Sequence, residues 1–237
     1  MPAQINLLDN ARPFLAYLEE WYNRLEALPL SELVADRPER VAVLSVDVIN
    51  GFCSSGPLAS ERVGRIARPI AELFARAHAL DVRSFALTQD THDPQTPEFQ
   101  AYPPHCVRGT AESEAVDELK ALPFFGDLAV VRKNSISSSI GTDLAAWLKE
   151  RPQADRFVVG DCSDLCTYQL AMHLRLEANA ANVERRVVVP ADLVETFDTP
   201  VAVARDLGRK AHDGDLHHVL FLHHMAMNGV EVVKQLA

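Results

Sequence analysis

Three reactive side chains that stand far apart along the chain are Asp47, Lys133 and Cys166. Asp47 and Lys133 each lie at or just past the end of a predicted strand, and Cys166 follows the short turn after another. Cys166 also opens a predicted helix. A helix N-terminus and a nearby cation both lower the pKa of a thiol, and the thiolate is its nucleophilic form. A neighbouring carboxylate can accept the thiol proton as a general base. Together the three would form a nucleophile, its base and a cation.

Each of these residues alone has a more ordinary interpretation. An aspartate after a strand is more often a helix cap or a turn former, and a lysine there is usually solvated. A cysteine at the start of a helix is more often packed as a small hydrophobe. The chemical interpretation therefore depends on all three facing one cleft outside the carboxyl ends of the strands, which is where doubly wound α/β folds bind their ligands.

A second group of candidate residues lies in the segment QDTHDPQTPEFQAYPPHC. Asp90 and His92 lie on one side of an extended stretch, and His105 could fold back to join them. One carboxylate and two imidazoles form a facial set that leaves positions open on a divalent metal. The alternative is that Asp90 and His92 are polar loop residues and His105 is a buried, hydrogen-bonded histidine. Spacing alone slightly favours this alternative.

The elements that must position these residues alternate between strands and helices. Nearly continuous apolar runs, of which VAVLSVDV is the first, predict strands buried on both faces. Strands alternating with helices imply βαβ units. We therefore predict an α/β fold of three layers, α-β-α, with a six-stranded, mainly parallel sheet. The predicted strands are 41–48, 82–88, 127–131, 156–160, 184–190 and 217–222, and the predicted helices are 10–28, 60–80, 142–150, 165–180 and 199–213.

The region before the first strand is predicted to be a helical extension over residues 1–40, followed by one domain over 41–237. Residues 10–28 carry an apolar stripe at helical spacing. The extension has no core of its own, so it packs on the helical layer of the sheet or reaches a partner subunit. The first placement is favoured.

Charge and composition exclude several classes of partner. The 237-residue chain has a formal net charge of −10 and four cysteines. Nucleic acid and anionic membranes need clustered Lys and Arg, and no signal peptide or membrane-spanning run is evident. Four cysteines are too few for a disulfide scaffold in a chain this long. We expect a cytoplasmic homo-oligomer that binds neither nucleic acid nor membrane.

Four segments resemble one known family, in the family's order and over about residues 40–190. VLSVDVINGF is similar to its first strand, VVRKNSIS to its lysine segment and VVGDCSDLCTYQLAMHLR to its nucleophile segment. The most specific match is TQDTHDP followed by YPPHCVRGT, which resembles the family's metal segment. The chain is identified by this resemblance as a member of the nicotinamidase/isochorismatase-like cysteine hydrolases, and the match favours the metal interpretation of Asp90, His92 and His105.

The resemblance implies a role for each matching residue. Asp47, Lys133 and Cys166 would be the catalytic residues. The backbone amides of Cys162 and Cys166 would form the oxyanion hole, with a cis peptide before Cys162. The further implied residues are the metal ligands Asp90, His92 and His105 and the substrate-binding aromatics Phe52 and Tyr102. The metal would be Zn²⁺, with Fe²⁺ or Mn²⁺ as alternatives, and the reaction would convert nicotinamide and water to nicotinate and ammonia, a step in NAD salvage.

Several positions depart from the family pattern, and they lie around the pocket: Ile49, Gly51, Thr91, Tyr102, Asp161 and Cys162. They leave open another carbon–nitrogen hydrolase, acting on a carbamoyl or ureido substrate. A non-catalytic ligand-binding relative is a further alternative, although a degenerate enzyme usually loses one of its catalytic residues. A dinucleotide-binding dehydrogenase is disfavoured, because neither G-x-G-x-x-G after the first strand nor a phosphate loop is present.

Overall fold

A parallel β-sheet forms the centre of the computed structural model, which describes residues 5–35, 37–152 and 154–237. Its strands pair in the order β3-β2-β1-β4-β5-β7, with β6 paired to β4, and every pairing is parallel. The strands are β1 Val41–Val46, β2 Ser84–Asp90, β3 Ala129–Lys133, β4 Asp155–Asp161, β5 Val187–Pro190, β6 Val194–Glu195 and β7 Glu231–Val233. The prediction of an α/β fold with a mainly parallel sheet is confirmed.

Helices cover both faces of the sheet. They are α1 Leu7–Asn10, α2 Arg12–Asn23, α3 Leu30–Val34, α4 Asn50–Cys53, α5 Glu61–Gly64, α6 Ala67–Ala79, α7 Asp117–Lys120, α8 Leu144–Lys149, α9 Cys166–Ala180, α10 Val201–Asp206 and α11 Gly214–Met227. Short 3-10 turns lie at Pro38–Arg40, Pro97–Gln100, Ala111–Ser113, Phe125–Asp127 and Ala191–Leu193. Among the described residues, no helix combines the length and the apolar character needed to cross a membrane.

The strand β1 divides the core into two apolar layers. All of its residues are buried, as the β-branched run VAVLSV predicts for a strand covered on both faces. Val41 and Val43 pack with α6 and α7 on one side. Ala42 and Leu44 pack with α8, α9 and α11 on the other side. The parallel pairing of β1 with β2 and β4 sets where its carboxyl end lies.

The predicted sixth strand, 217–222, is wrong, because these residues lie within helix α11. A six-residue apolar run fits a buried strand or a buried helix equally well by periodicity. The helix is selected by its cap, since the Asp213 side chain accepts the Leu216 amide at 3.0 Å. It is also selected by the helical spacing of the buried residues His218, Leu222 and Met225. The sheet instead gains the short strands β6 and β7, so within residues 5–35, 37–152 and 154–237 it has seven strands rather than six.

The N-terminal helix α2 packs on α11 in its own chain. The ring of Trp21 meets that of His223 edge-on, with 5.1 Å between centroids. Tyr22 lies against His218 in the same way, with its hydroxyl 3.4 Å from Nε2 of that ring. This is the placement that the sequence favours for the extension.

Candidate active site

The candidate catalytic residues meet at the carboxyl edge of the sheet. Asp47 directly follows β1, Asp90 ends β2 and Lys133 ends β3. The β2–β3 register sets Asp90 opposite Lys133. Cys166 is the first residue of α9, which follows β4 after a short turn. Four separate stretches of the chain therefore bring two carboxylates, an ammonium and a thiol to one place.

The ammonium of Lys133 lies at the centre of this group. Its Nζ is 2.7 Å from Asp47 Oδ2, 2.6 Å from Asp90 Oδ1 and 3.5 Å from Cys166 Sγ. Cys166 Sγ and carboxylate oxygens of Asp47 and Asp90 all lie within 4.8 Å of one another. The three residues Asp47, Lys133 and Cys166 are 0%, 1% and 7% exposed. The spatial condition that the sequence interpretation requires is met.

The backbone holds Asp47 in an uncommon conformation. Its φ is +54°, in the left-handed region that a residue with a side chain rarely adopts. The conformation is fixed from two sides, because the Asp47 amide donates to Thr88 O at 2.8 Å and Asp47 Oδ1 accepts the Asp90 amide at 2.7 Å. Such backbone strain persists where the surrounding structure over-determines it, and it clusters at functional sites.

Burial sets the charges of this group. Burial and the neighbouring charge of Asp90 raise the pKa of Asp47 to about 6, although Lys133 opposes them. Burial works against the charge of Lys133, but the two carboxylates outweigh it and raise the lysine pKa well above its ordinary value. Burial also raises the pKa of Cys166 well above that of a free thiol, with Lys133 opposing. The sequence predicts a lowered thiol pKa, and the depth of the site reverses that prediction.

The candidate metal ligands lie beside the catalytic residues. Ligand atoms of Asp90, His92 and His105 lie within 4.8 Å of one another, and all three side chains are buried. Nε2 of His92 is 3.4 Å from Asp90 Oδ2, and Nε2 of His105 is 4.0 Å from the same oxygen. The other oxygen of Asp90 contacts Lys133. The Asp90 carboxylate therefore contacts the catalytic lysine through one oxygen and faces the two histidines with the other.

Hydrogen bonds on the far side of each imidazole ring decide which nitrogen is free. Asn134 Oδ1 accepts the Asp93 amide at 2.9 Å, which identifies that atom as the oxygen, and His92 Nδ1 lies 3.2 Å from it. Nδ1 of His105 lies 2.8 Å from the carbonyl of Pro103. Both Nδ1 atoms must therefore donate, so a neutral ring presents a lone pair at Nε2. Nε2 of His92 is buried without a hydrogen-bond partner in the described chain.

This geometry fits a divalent metal. Two nitrogen lone pairs and a carboxylate oxygen face one another, and a cation between them satisfies all three. Oriented imidazoles with a backbone or side-chain acceptor behind them are the usual arrangement around protein-bound zinc.

A residue that the sequence interpretation missed lies at the same place. Glu98 Oε1 is 3.8 Å from Nε2 of His92, and Asn134 behind His92 was missed as well. Both residues could have been suspected from their places in the sequence. Glu98 is an acid in the segment between His92 and His105, and Asn134 directly follows Lys133.

The turn that leads to Cys166 presents the backbone amides of the candidate oxyanion hole. A cis peptide joins Asp161 and Cys162, as the family resemblance implies. The carbonyl of Cys162 accepts the amides of Leu165 and Thr167 at 3.0 and 3.1 Å. Cys166 is the first residue of α9, where the amide has no intrahelical acceptor. Its N–H is thus suited to bind a developing negative charge.

The two aromatic side chains expected in the substrate pocket both flank a candidate metal ligand. Phe52 and His105 have ring centroids 5.6 Å apart, and Tyr102 and His105 have centroids 6.2 Å apart. Phe52 is buried and Tyr102 is half-buried. Their role toward a substrate stays a prediction.

The fold is a parallel α/β sheet that carries a buried thiol, two carboxylates and an ammonium at its carboxyl edge. The sequence model described as the Isochorismatase domain matches residues 41–232. The chain belongs to the isochorismatase family.

Individual relatives agree with this assignment. The chain is 32% identical over 229 residues to Nicotinamidase 1 of Arabidopsis thaliana, covering 89% of this chain and 93% of that one. A cysteine hydrolase from Pseudomonas syringae pv. phaseolicola has a similar fold, with a TM-score of 0.68 at 22% identity over 90% of this chain and 92% of its own. The pyrazinamidase of Pyrococcus horikoshii in complex with zinc gives a TM-score of 0.64 at 21% identity, over 82% of this chain and 99% of that one.

Proposed function

We propose that this chain hydrolyses nicotinamide to nicotinate and ammonia through a thioester on Cys166. The observation that carries the proposal is the meeting of Asp47, Lys133 and Cys166 directly beside the Asp90, His92 and His105 group. The 32% identity to a plant protein named as a nicotinamidase supports the choice of substrate.

The first half of the reaction uses Asp47 as the base. The thiol is neutral at rest because burial raises its pKa, so its proton passes to Asp47 as Sγ attacks the amide carbon. A pKa of Asp47 near 6 suits a base that must accept and return a proton near neutrality. The carbonyl oxygen takes up the negative charge and is held by the amides of Cys162 and Cys166. Asp47 then protonates the leaving nitrogen, the C–N bond breaks and ammonia departs.

The second half of the reaction releases the acid. A water molecule gives a proton to Asp47 and adds its oxygen to the thioester carbon, and the same two backbone amides hold the second oxyanion. The S–C bond breaks, nicotinate leaves and the proton returns to Cys166. Lys133 stays charged throughout, because the two carboxylates raise its pKa, and it keeps Asp47 oriented toward the thiol.

The residues that would hold the metal are Asp90, His92 and His105, with Glu98 placed to join them. We favour Zn²⁺ for this donor set, with Fe²⁺ or Mn²⁺ as alternatives. When bound, the metal supplies a Lewis-acidic contact for the pyridine nitrogen of the substrate. Phe52 and Tyr102, beside His105, would pack against the pyridine ring and keep its amide near Cys166.

The test is ammonia release from a panel of nicotinamide, pyrazinamide and one carbamoyl and one ureido compound. Cys166→Ala should lower turnover by about 10⁴-fold or more while the protein stays folded. Cys53→Ala, which alters a half-buried thiol outside the catalytic group, is the matched control and should keep its activity. Substantial turnover by Cys166→Ala refutes the thioester. Turnover of the ureido compound alone keeps the chemistry and refutes the substrate.

Metal content is measured separately. The purified protein should contain about one divalent ion per chain, and His92→Ala and His105→Ala should each lose it. Activity should fall after dialysis against a chelator and return with Zn²⁺, Fe²⁺ or Mn²⁺. Full activity in a metal-free protein contradicts this part of the proposal.

A further inference from the structure

The turn from Asp161 to Cys166, named here the nucleophile turn, is held by side chains from a later part of the chain. Asp164 is 7% exposed and stands midway along the sequence between Cys162 and Cys166. Its Oδ1 accepts the hydroxyl of Thr196 at 2.6 Å. Its Oδ2 lies 2.8 Å from Nε2 of His212. A carboxylate inside the turn is thus bound on both of its oxygens.

The ring of His212 is contacted at both nitrogens and on both faces. Its Nδ1 lies 2.9 Å from the carbonyl of Phe197. The rings of Phe197 and His217 stack on its two faces, each with a centroid distance of 4.0 Å and an interplanar angle of 19°. The carbonyl and the carboxylate are both acceptors, so Nε2 can donate to Asp164 while Nδ1 faces the Phe197 carbonyl. His212 and Asp164 then form a charge-assisted pair.

The neighbouring residue of the turn is bound as well. The Ser163 amide donates to Glu195 O at 2.9 Å, and Ser163 Oγ lies 3.1 Å from Nδ1 of His218. The turn therefore has side-chain anchors at both of the residues that follow Cys162. The anchor at Asp164 is two residues from Cys166 in the sequence, whereas the anchor at Ser163 is three residues away.

We propose that His212 is a positioning residue of the hydrolase: through Asp164 it holds the amides of Cys162 and Cys166 where the tetrahedral oxyanion needs them. The inference rests on the thioester chemistry of the proposed function. Oxyanion donors act only within about 2.7–3.1 Å of the charged oxygen. A misplacement of about 1 Å can cost about 100-fold in rate, so a brace on the turn affects the chemical step more than substrate binding.

Three variants separate the hydrogen bond of His212 from its packing. His212→Phe keeps an aromatic ring between Phe197 and His217 but removes both ring nitrogens, and with them the bond to Asp164. His212→Gln loses the ring and keeps a side-chain N–H for Asp164. His217→Ala removes the outer stacked ring and leaves the bond from His212 to Asp164 intact, so it is the control for stacking alone.

We expect His212→Phe to lower kcat by about 10- to 100-fold with KM within about twofold of the wild-type value. His212→Gln should recover at least part of that loss, and His217→Ala should match the wild type. A second readout is the affinity for the aldehyde analogue of the substrate amide. Sγ of Cys166 bonds to the aldehyde carbon as its proton passes to Asp47, and the former carbonyl oxygen carries the negative charge to the two amides. The affinity for this aldehyde should fall in His212→Phe by the same factor as kcat.

Several outcomes overturn the inference. One is an unchanged kcat in His212→Phe, and another is a rise in KM with kcat and aldehyde affinity unaltered. A His217→Ala variant that loses as much as His212→Phe would assign the effect to stacking. If His212→Phe does not fold, an inactive but folded His212→Gln refutes the donor role and an active one supports it. A wild-type chain that hydrolyses no amide refutes the proposed function and this inference together, whereas loss of the positioning effect alone leaves the proposed function standing.

Discussion

The buried cation of the site gives the sharpest test of its electrostatics. Lys133→Met keeps a long apolar stem and removes the charge that faces Asp47 at 2.7 Å and Asp90 at 2.6 Å. Both carboxylates are buried, at 0% and 2% exposure. The variant therefore leaves two like charges close together without their cation. Activity should be lost with the orientation of Asp47, and the larger effect to measure is on stability.

The expected size follows from the geometry. At an effective dielectric constant of about 20, each contact of Lys133 is worth roughly 6 kcal/mol of Coulomb energy. Desolvation of the three charges offsets most of this energy, and a carboxylate that takes up a proton limits the remainder. Removing one partner of a buried pair costs about 3–5 kcal/mol, and we expect a loss in that range. With a urea m-value of about 3 kcal/mol per M, the unfolding midpoint should fall by about 1–1.7 M.

The assay is urea unfolding of the wild type, Lys133→Met and a matched surface variant, Lys120→Met. Lys120 Nζ lies 2.6 Å from Glu114 Oε2, the same separation as in the buried pair, but both side chains are substantially exposed. Its loss should cost about 0–1 kcal/mol. A Lys133→Met midpoint no lower than that of Lys120→Met would refute the reasoning.

The dependence on pH gives a second check of the same variant. Burial already raises the pKa of Asp47 to about 6 with Lys133 present, and removing the cation raises it further. A group whose pKa is raised in the folded state binds more protons when folded than when unfolded. The stability that it contributes is therefore fully present at pH values below its unfolded pKa. That stability is lost as the pH rises through the folded pKa. The defect of Lys133→Met should therefore shrink when unfolding is measured at about pH 6 instead of about pH 8.

Three further variants test the fold that carries the site, each by its urea midpoint. Gly160→Ala should lower the free energy of unfolding by about 3 kcal/mol or more, because φ of Gly160 is +115° and the new Cβ would lie 2.0 Å from Val46 O. A urea midpoint within error of the wild type would contradict the close approach of β1 and β4. Asp213→Ala should cost about 1 kcal/mol, because the cap to the Leu216 amide is lost. Arg156→Met should be neutral or stabilising by up to about 2 kcal/mol. The Arg156 guanidinium is buried with Nε and Nη1 unpaired among the described residues, and burial lowers its pKa to about 10. A clear loss of stability in this variant would contradict the expectation.

The sequence was sufficient to predict the strands that the fold buries. The runs that end near Asp47 and Asp90 are mostly apolar and almost wholly buried, and the shorter run before Lys133 is partly exposed; the structure places a parallel strand at each. Parallel strands end at one edge, so the meeting of these side chains with Cys166 could be predicted before any coordinates. Their roles in catalysis stay predictions until the variants are assayed.

The sequence was insufficient where length or distance decides the structure. The strands β6 and β7 have only two and three residues, too few for any period to be recognised. Residues 199–213 were predicted to be helical, but the helix α10 ends at Asp206. His212 instead pairs with Thr199 in an isolated bridge. Its contact with Asp164 joins residues 48 positions apart, which no local pattern predicts.

The depth of the site is the other feature that the sequence did not indicate, and it changes how the chemistry must work. A thiol exposed at a helix N-terminus beside a lysine would be a thiolate before substrate arrives. Here burial keeps the proton on Cys166, and the Lys133 charge is shared with Asp47 and Asp90. In the proposed mechanism the nucleophile therefore forms as it attacks, and Asp47 takes the proton. Because Asp90 gives one oxygen to Lys133, donates its amide to Asp47 and turns its other oxygen toward His92 and His105, a change of charge at the histidines is felt at Asp47 through Asp90 and through the shared ammonium.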